Sequence, residues 1–188
     1  MKFILPIILV LVLISGYFML SKNGAPSIAP KSSQIQSPNP TSQAELTPVR
    51  SYMNSSLKLS LNYPENWQIS ESGTDVIFAT TKESLGKDET RKEELRVFIG
   101  RTPLLQGQNL EKYISDIDKR SKPNIFDQKS ILVDREKAIR RVTSLGNYEA
   151  IVIYVQSGTK IYTISATPAD STFMPAFDQM LQSFKFLP

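Results

Sequence analysis

No cysteine and no histidine occur in this chain. Their absence removes disulfides, thiolate nucleophiles and the acylated thiol of a bacterial lipoprotein. It also excludes Ser-His-Asp and Cys-His catalysis within the chain, and zinc sites built from imidazole and thiolate. Proton transfer near neutral pH would need a perturbed lysine or carboxylate. The eight glycines are scattered, so no glycine-rich loop exists to cradle a phosphate. An excess of one charge is lacking too. Of 22 Lys and Arg, Lys2, Lys22 and Lys31 precede Val49, as does one of 18 acids, Glu45, which leaves 19 against 17 from Val49 onward. Near balance there argues against nucleic acid as a partner. No cofactor and no metal are expected.

What is present begins with an uncharged apolar run, Phe3 to Leu20, inside MKFILPIILVLVLISGYFML. As a helix it would span about 27 Å, close to the roughly 30 Å hydrocarbon core of a bilayer. The −3 and −1 pattern for signal-peptide cleavage is poor, because Ala25 and Ala29 are each followed by proline. Residues 1–20 therefore read as a retained single-pass anchor with a cytoplasmic N-terminus, which puts the rest on the extracytoplasmic side of a bacterial envelope. Residues 21–49, rich in Pro, Ser, Gln and Asn, read as a disordered linker of about 30 to 85 Å reach. Residues 50–188 read as one globular domain.

Within that domain Leu57, Leu59, Leu61 and Tyr63 alternate with polar residues up to Pro64, the pattern of a half-buried strand. Further strands are expected at 75–80, 95–100, 131–133, 138–144, 150–156 and 160–167, the last two joined by a hairpin turn at 157–159. Ala150 to Val155 is apolar at both phases of the pleat and demands cover on both faces. Asn109 is a candidate N-cap for a helix carrying Leu110, Tyr113, Ile114 and Ile117, with cations at its end and Pro123 as stop. Phe173, Phe177, Met180, Leu181 and Phe184 mark a second helix, opened by Ser171 or Thr172 with Pro175 in its first turn. The expected class is α+β, an antiparallel sheet with helices packed on both faces, preceded by one transmembrane helix.

The opening SYMNSSLKLSLNYPENWQIS, with its alternating strand and Tyr-Pro-x-x-Trp turn, resembles the start of PsbP-like domains. The close AFDQMLQSFKFLP is similar to their last helix and final Phe-x-Phe strand. The resemblance covers about Arg50 to Pro188 and implies an α/β/α sandwich acting as an accessory or binding module. That fold is shared by extrinsic photosystem II subunits, a Ran-binding import factor family and bacterial envelope proteins. The shared positions build the core, so the resemblance brings no functional residue with it. The anchor and linker set this chain apart from the photosynthetic members.

Candidate sites are few. Ser55-Ser-Leu-Lys58 spells S-x-x-K, but Lys58 falls in the alternating strand and no K-T-G follows, so it reads as chance. Asp116 and Asp118 lie two apart on a helix and read as a solvated face. Arg135, Lys137, Arg140 and Arg141 are the binding candidates. On a strand, Arg140 and Arg141 point to opposite faces, so one guanidinium must border a buried face. It is expected either to find an acidic partner there or to receive an anionic ligand. Trp67, the only tryptophan, would either plug the end of the sheet or stack on a sugar. The composition favours a non-enzymatic membrane-tethered module binding an envelope protein or anionic component. The alternatives are a carboxylate-based envelope hydrolase and an assembly factor for a membrane complex.

Overall fold

The computed structural model describes residues 48–86, 91–145 and 148–188. The expected anchor and nearly all of the expected linker lie outside the described residues. Among the described residues, no helix is long and apolar enough to cross a membrane.

The chain runs β1 (Val49–Asn54), β2 (Leu59–Pro64), β3 (Gln68–Ser72), β4 (Asp75–Ala79), a 3-10 turn at Glu83–Leu85 and β5 (Arg96–Pro103). It continues through α1 (Leu110–Ser121), β6 (Ile125–Val133), β7 (Glu136–Leu145), β8 (Tyr148–Ser157), β9 (Lys160–Thr167), α2 (Met174–Ser183) and β10 (Lys185–Phe186). Every ladder is antiparallel. A seven-stranded sheet has the order β3-β4-β5-β9-β8-β7-β6, and a second sheet has the order β1-β2-β10. The expected antiparallel sheet with a helix towards each face is present, and a second, small sheet that was not expected joins it. One face of the large sheet meets the small sheet and α2 together, and only the other face meets a helix alone.

The first face is the main core. Val97, Ile99, Ile153, Tyr162 and Ile164 from the large sheet cluster with Leu57, Leu59, Leu61, Phe177 and Phe184. The two-phase apolar strand β8 lies inside the sheet, between β7 and β9, with Ile151, Ile153 and Val155 in this core. Trp67 belongs to the same core, 5% exposed and edge-on to Phe173 at 6.2 Å. Tyr162 spans the core and its hydroxyl donates to the Leu57 carbonyl at 2.8 Å. The strand expected from Leu57 begins at Leu59, because Lys58 sits at φ 58° in the preceding turn and its Nζ donates to the Pro188 carbonyl.

Helix α1 starts as the sequence suggests: the Asn109 side chain accepts from Lys112 N and closes the first turn, and Lys122 ends the helix in the left-handed region ahead of Pro123. In α2 the cap position is Phe173 rather than the expected Ser171 or Thr172, and its N–H donates to Ser171 Oγ, so the serine acts from two residues before the cap. The β6–β7 turn places Asp134 and Arg135 at φ 46° and 72°. Asp134 accepts from Lys185 Nζ and Phe186 N, which fastens β10 to this turn; the Lys185 ammonium holds its carboxyl below the usual range.

Tyr52 supplies a pH test of the core. It packs edge-on to Phe78 at 5.1 Å, and burial, reinforced by Glu71, pushes its phenol up to about 12. A raised acid is held neutral by folding, so its contribution is complete below the unfolded value of about 10 and is lost as pH rises towards 12. Urea unfolding between pH 9 and 11.5 is expected to show falling stability, and Tyr52→Phe is expected to flatten that slope. Equal slopes in the two proteins would refute the assignment.

Candidate functional site

The second face of the large sheet decides what the domain can hold. Registers place Ile77, Phe98, Ser165, Val152 and Arg141 in one row across β4, β5, β9, β8 and β7, and Gly100, Thr163, Tyr154 and Ile139 in the next. Helix α1 covers one side of this surface. Its Leu110 and Ile114 pack on Ile161, with Tyr113, Ile139 and Tyr154 around them.

One buried charge fixes the helix there. The Arg141 side chain is 6% exposed and makes two parallel bonds to Asp118 of α1, at 2.7 and 2.9 Å, while its Nε donates to Gln128 Oε1 at 2.7 Å. Asp116, on the same helix, accepts from Gln108 at 3.0 Å. Both carboxylates are thus engaged by the protein. The four basic candidates do not converge. Arg135 sits exposed in the turn, Lys137 is exposed at the start of β7, and Arg140 points to the opposite face from Arg141, 4.0 Å from Asp127.

Beside α1 the surface stays open. A concavity of about 330 Å³ is lined by Arg96, Phe98, Val152, Tyr154, Thr163, Ser165 and Thr167. Its floor is apolar, from Phe98 and Val152, and β9 contributes a row of three hydroxyls. Burial pushes the Tyr154 phenol up, so at neutral pH it remains a neutral hydrogen-bond donor. Gly100 shapes this floor. A Cβ at residue 100 would lie 2.7 Å from the Phe98 ring and 2.8 Å from Asp75 Oδ1, so the ring lies where only glycine leaves room. Gly100→Ala is expected to displace Phe98 and cost about 1–3 kcal/mol through overpacking, read by thermal unfolding. An unchanged melting temperature would show that the ring moves freely.

None of these lining residues was singled out from the sequence, although a signal existed. In β9, Thr163, Ser165 and Thr167 alternate with Tyr162, Ile164 and Ala166, which sorts hydroxyls to one face and apolar groups to the other. The pattern does not reveal that α1 stops short of them. Among the described residues, no group of three or more acidic side chains is placed to hold a metal.

No protein-family model matches the chain, and no curated protein matches it in sequence. Solved structures that it resembles include cyanobacterial PsbP (CyanoP) from Synechocystis, with a TM-score of 0.49 and 12% identity over 79% of this chain and 98% of that one. A protein from Bacteroides thetaiotaomicron gives 0.49 and 10%, over 73% of this chain and 48% of that one. PA94 of Pseudomonas aeruginosa, a protein of unknown function, gives 0.45 and 16%, over 74% and 96%.

Proposed function

We propose that this chain is a non-enzymatic accessory module of PsbP-like fold, tethered outside the cytoplasmic membrane, that binds an envelope component on the open half of its large sheet. The observation that carries the reading is the concavity beside α1. An apolar floor of Phe98 and Val152 suits a hydrophobic group. The hydroxyls of Thr163, Ser165 and Thr167 and the Tyr154 phenol suit the acceptor-rich part of the same ligand. Among the described residues no carboxylate lines the concavity, whereas glycoside hydrolysis needs two, about 5 to 10 Å apart. The tether is supported by the uncharged run from Phe3 to Leu20 and the poor cleavage pattern after it.

Site-specific photo-cross-linking in intact membranes tests the binding reading. A benzophenone side chain at Thr163 of the full chain is expected to give a light-dependent adduct of defined mass, and one at exposed Ser70 of β3 is expected to give none. Gly100→Ala, by shifting Phe98, is expected to lower the yield at least threefold. Equal adducts from both positions, or none from Thr163, would remove the reading. The tether has its own check: a mature N-terminus found by mass spectrometry near Ala25 or Ala29 would make the module a secreted one.

A further inference from the structure

The two edges of the large sheet are built differently. At one end β3 is five residues long and reads QISES, short and polar. At the other, β6 is nine residues long, pairs only with β7 among the described residues, and leaves Ile125, Phe126 and Leu132 exposed at 40%, 55% and 70%. A long edge strand with exposed apolar side chains is a template for another strand. The charges on β6 indicate which one.

In the β6–β7 ladder Lys129 lies directly opposite Arg140, so two cations share one cross-strand position. Arg140 turns instead to Asp127, at 4.0 Å, and that carboxylate remains 56% exposed. Lys129 therefore faces a like charge on its inner side and solvent on its outer side, where a carboxylate would relieve it. A second copy can supply that carboxylate. Two β6 strands related by a two-fold axis normal to the sheet pair antiparallel, and the pleat restricts the axis to pass through a residue. Through Lys129 it would oppose two lysines, and through Asp127 two aspartates. Through Gln128 it sets Lys129 of each copy against Asp127 of the other, giving two rows of Arg140, Lys129 and Asp127 across the junction. The bulge at Phe126 fits this register: with Phe126 set aside, Ile125 and Ser130 come opposite one another, both on the α1 side.

We propose that this chain forms a two-fold dimer through β6, in the antiparallel register centred on Gln128, which joins two seven-stranded sheets into one of fourteen. Helix α1 packs over β7, β8 and β9, and no described element lies beyond β6 to block the approach. The interface is independent of the concavity beside α1, so failure of either proposal leaves the other standing.

Charge exchange tests it, by sedimentation of the full chain in detergent. The wild-type chain is expected to show a monomer–dimer equilibrium. Asp127→Lys sets lysine against lysine twice and is expected to weaken the dimer at least about tenfold. Mixing the Asp127→Lys chain with a Lys129→Asp chain restores opposite charges at both positions and is expected to give heterodimer at near wild-type affinity, which a misfolded variant cannot do. Because the chain has no cysteine, register can also be read directly in membranes. A cysteine at the two-fold axis faces its own copy at about 4.5–5.5 Å between Cα atoms, within disulfide range. Gln128→Cys is therefore expected to oxidise to a covalent dimer several-fold more completely than Ser130→Cys. A wild-type chain that stays monomeric, a dimer indifferent to Asp127→Lys, a mixture that forms no heterodimer, or equal cross-linking at 128 and 130 would each overturn the proposal.

Discussion

Asp118→Ala is expected to destabilise the domain by about 3 kcal/mol, the lower end of the roughly 3–5 kcal/mol for stranding one member of a buried ion pair. The lower end applies because Asp118 is 32% exposed, so water reaches the vacated position, whereas the guanidinium it serves is 6% exposed and cannot follow the water out. Gln128 still accepts one bond from Arg141 Nε, which leaves the two terminal nitrogens without Asp118. Helix α1 also loses its charged tie to β7, so loosening there should precede global unfolding. Urea titration gives the total, and hydrogen exchange of Leu110 to Ser121 gives the local share. The decisive comparison is Asp118→Leu with Arg141→Met, which removes both charges and is expected to recover most of the loss. A cost below 1 kcal/mol for Asp118→Ala, or no recovery in the double variant, would show that the pair matters little to the seating of α1.

Tyr162→Ala is expected to cost about 4–5 kcal/mol. The ring is 3% exposed, 4.8 Å from Phe186 and 6.4 Å from Phe184 between centroids, and removing a buried aromatic costs about 3–5 kcal/mol. Loss of the hydroxyl also strands the Leu57 carbonyl inside the core. Tyr162→Phe separates the two contributions, since it keeps the packing and is expected to cost about 1–3 kcal/mol for the unsatisfied carbonyl alone. Equilibrium unfolding with an unchanged denaturant slope checks both values. If Tyr162→Phe is neutral, the carbonyl finds another donor and the turn at 55–58 is not held from across the core.

These positions also mark what the amino-acid pattern discloses. Strands whose two faces differ in polarity are readable: Lys160 to Thr167 coincides with β9, and the run Ala150 to Val155 reads correctly as an interior strand because both its faces are apolar. Helix α1 is readable to its cap, because Asn109 and Pro123 act on their immediate neighbours. The first half of β6 is hidden for a physical reason. Ile125 to Ser130 is exposed throughout and the bulge at Phe126 breaks the alternation, so only Ile131 to Val133 carries a strand pattern. The small sheet is hidden too, since β10 is two residues long and pairs with a strand more than 120 positions earlier. That one of Arg140 and Arg141 borders a buried face is legible; that it is Arg141 emerges only from the fold. Its partner is not legible, because Asp118 lies 23 residues away on another element and looks solvated within its own helix. The open concavity is the least legible feature, for it depends on where α1 stops over the sheet.

The strand order of the small sheet also governs when the protein can fold during synthesis. Strands β1 and β2 leave the ribosome early and can pair as a local hairpin, but β2 finishes its ladder only with Lys185 and Phe186, and Leu187 N bonds to the Lys58 carbonyl. Phe177 and Phe184, both sealed in the core, arrive equally late. Until the chain through Phe186 has emerged, the large sheet presents Val97, Ile153 and Ile164 to water on the face that α2 and the small sheet will cover. The core face of the large sheet, complete only once β9 has been made, thus stays uncovered until α2 and β10 arrive and is then buried in one late step.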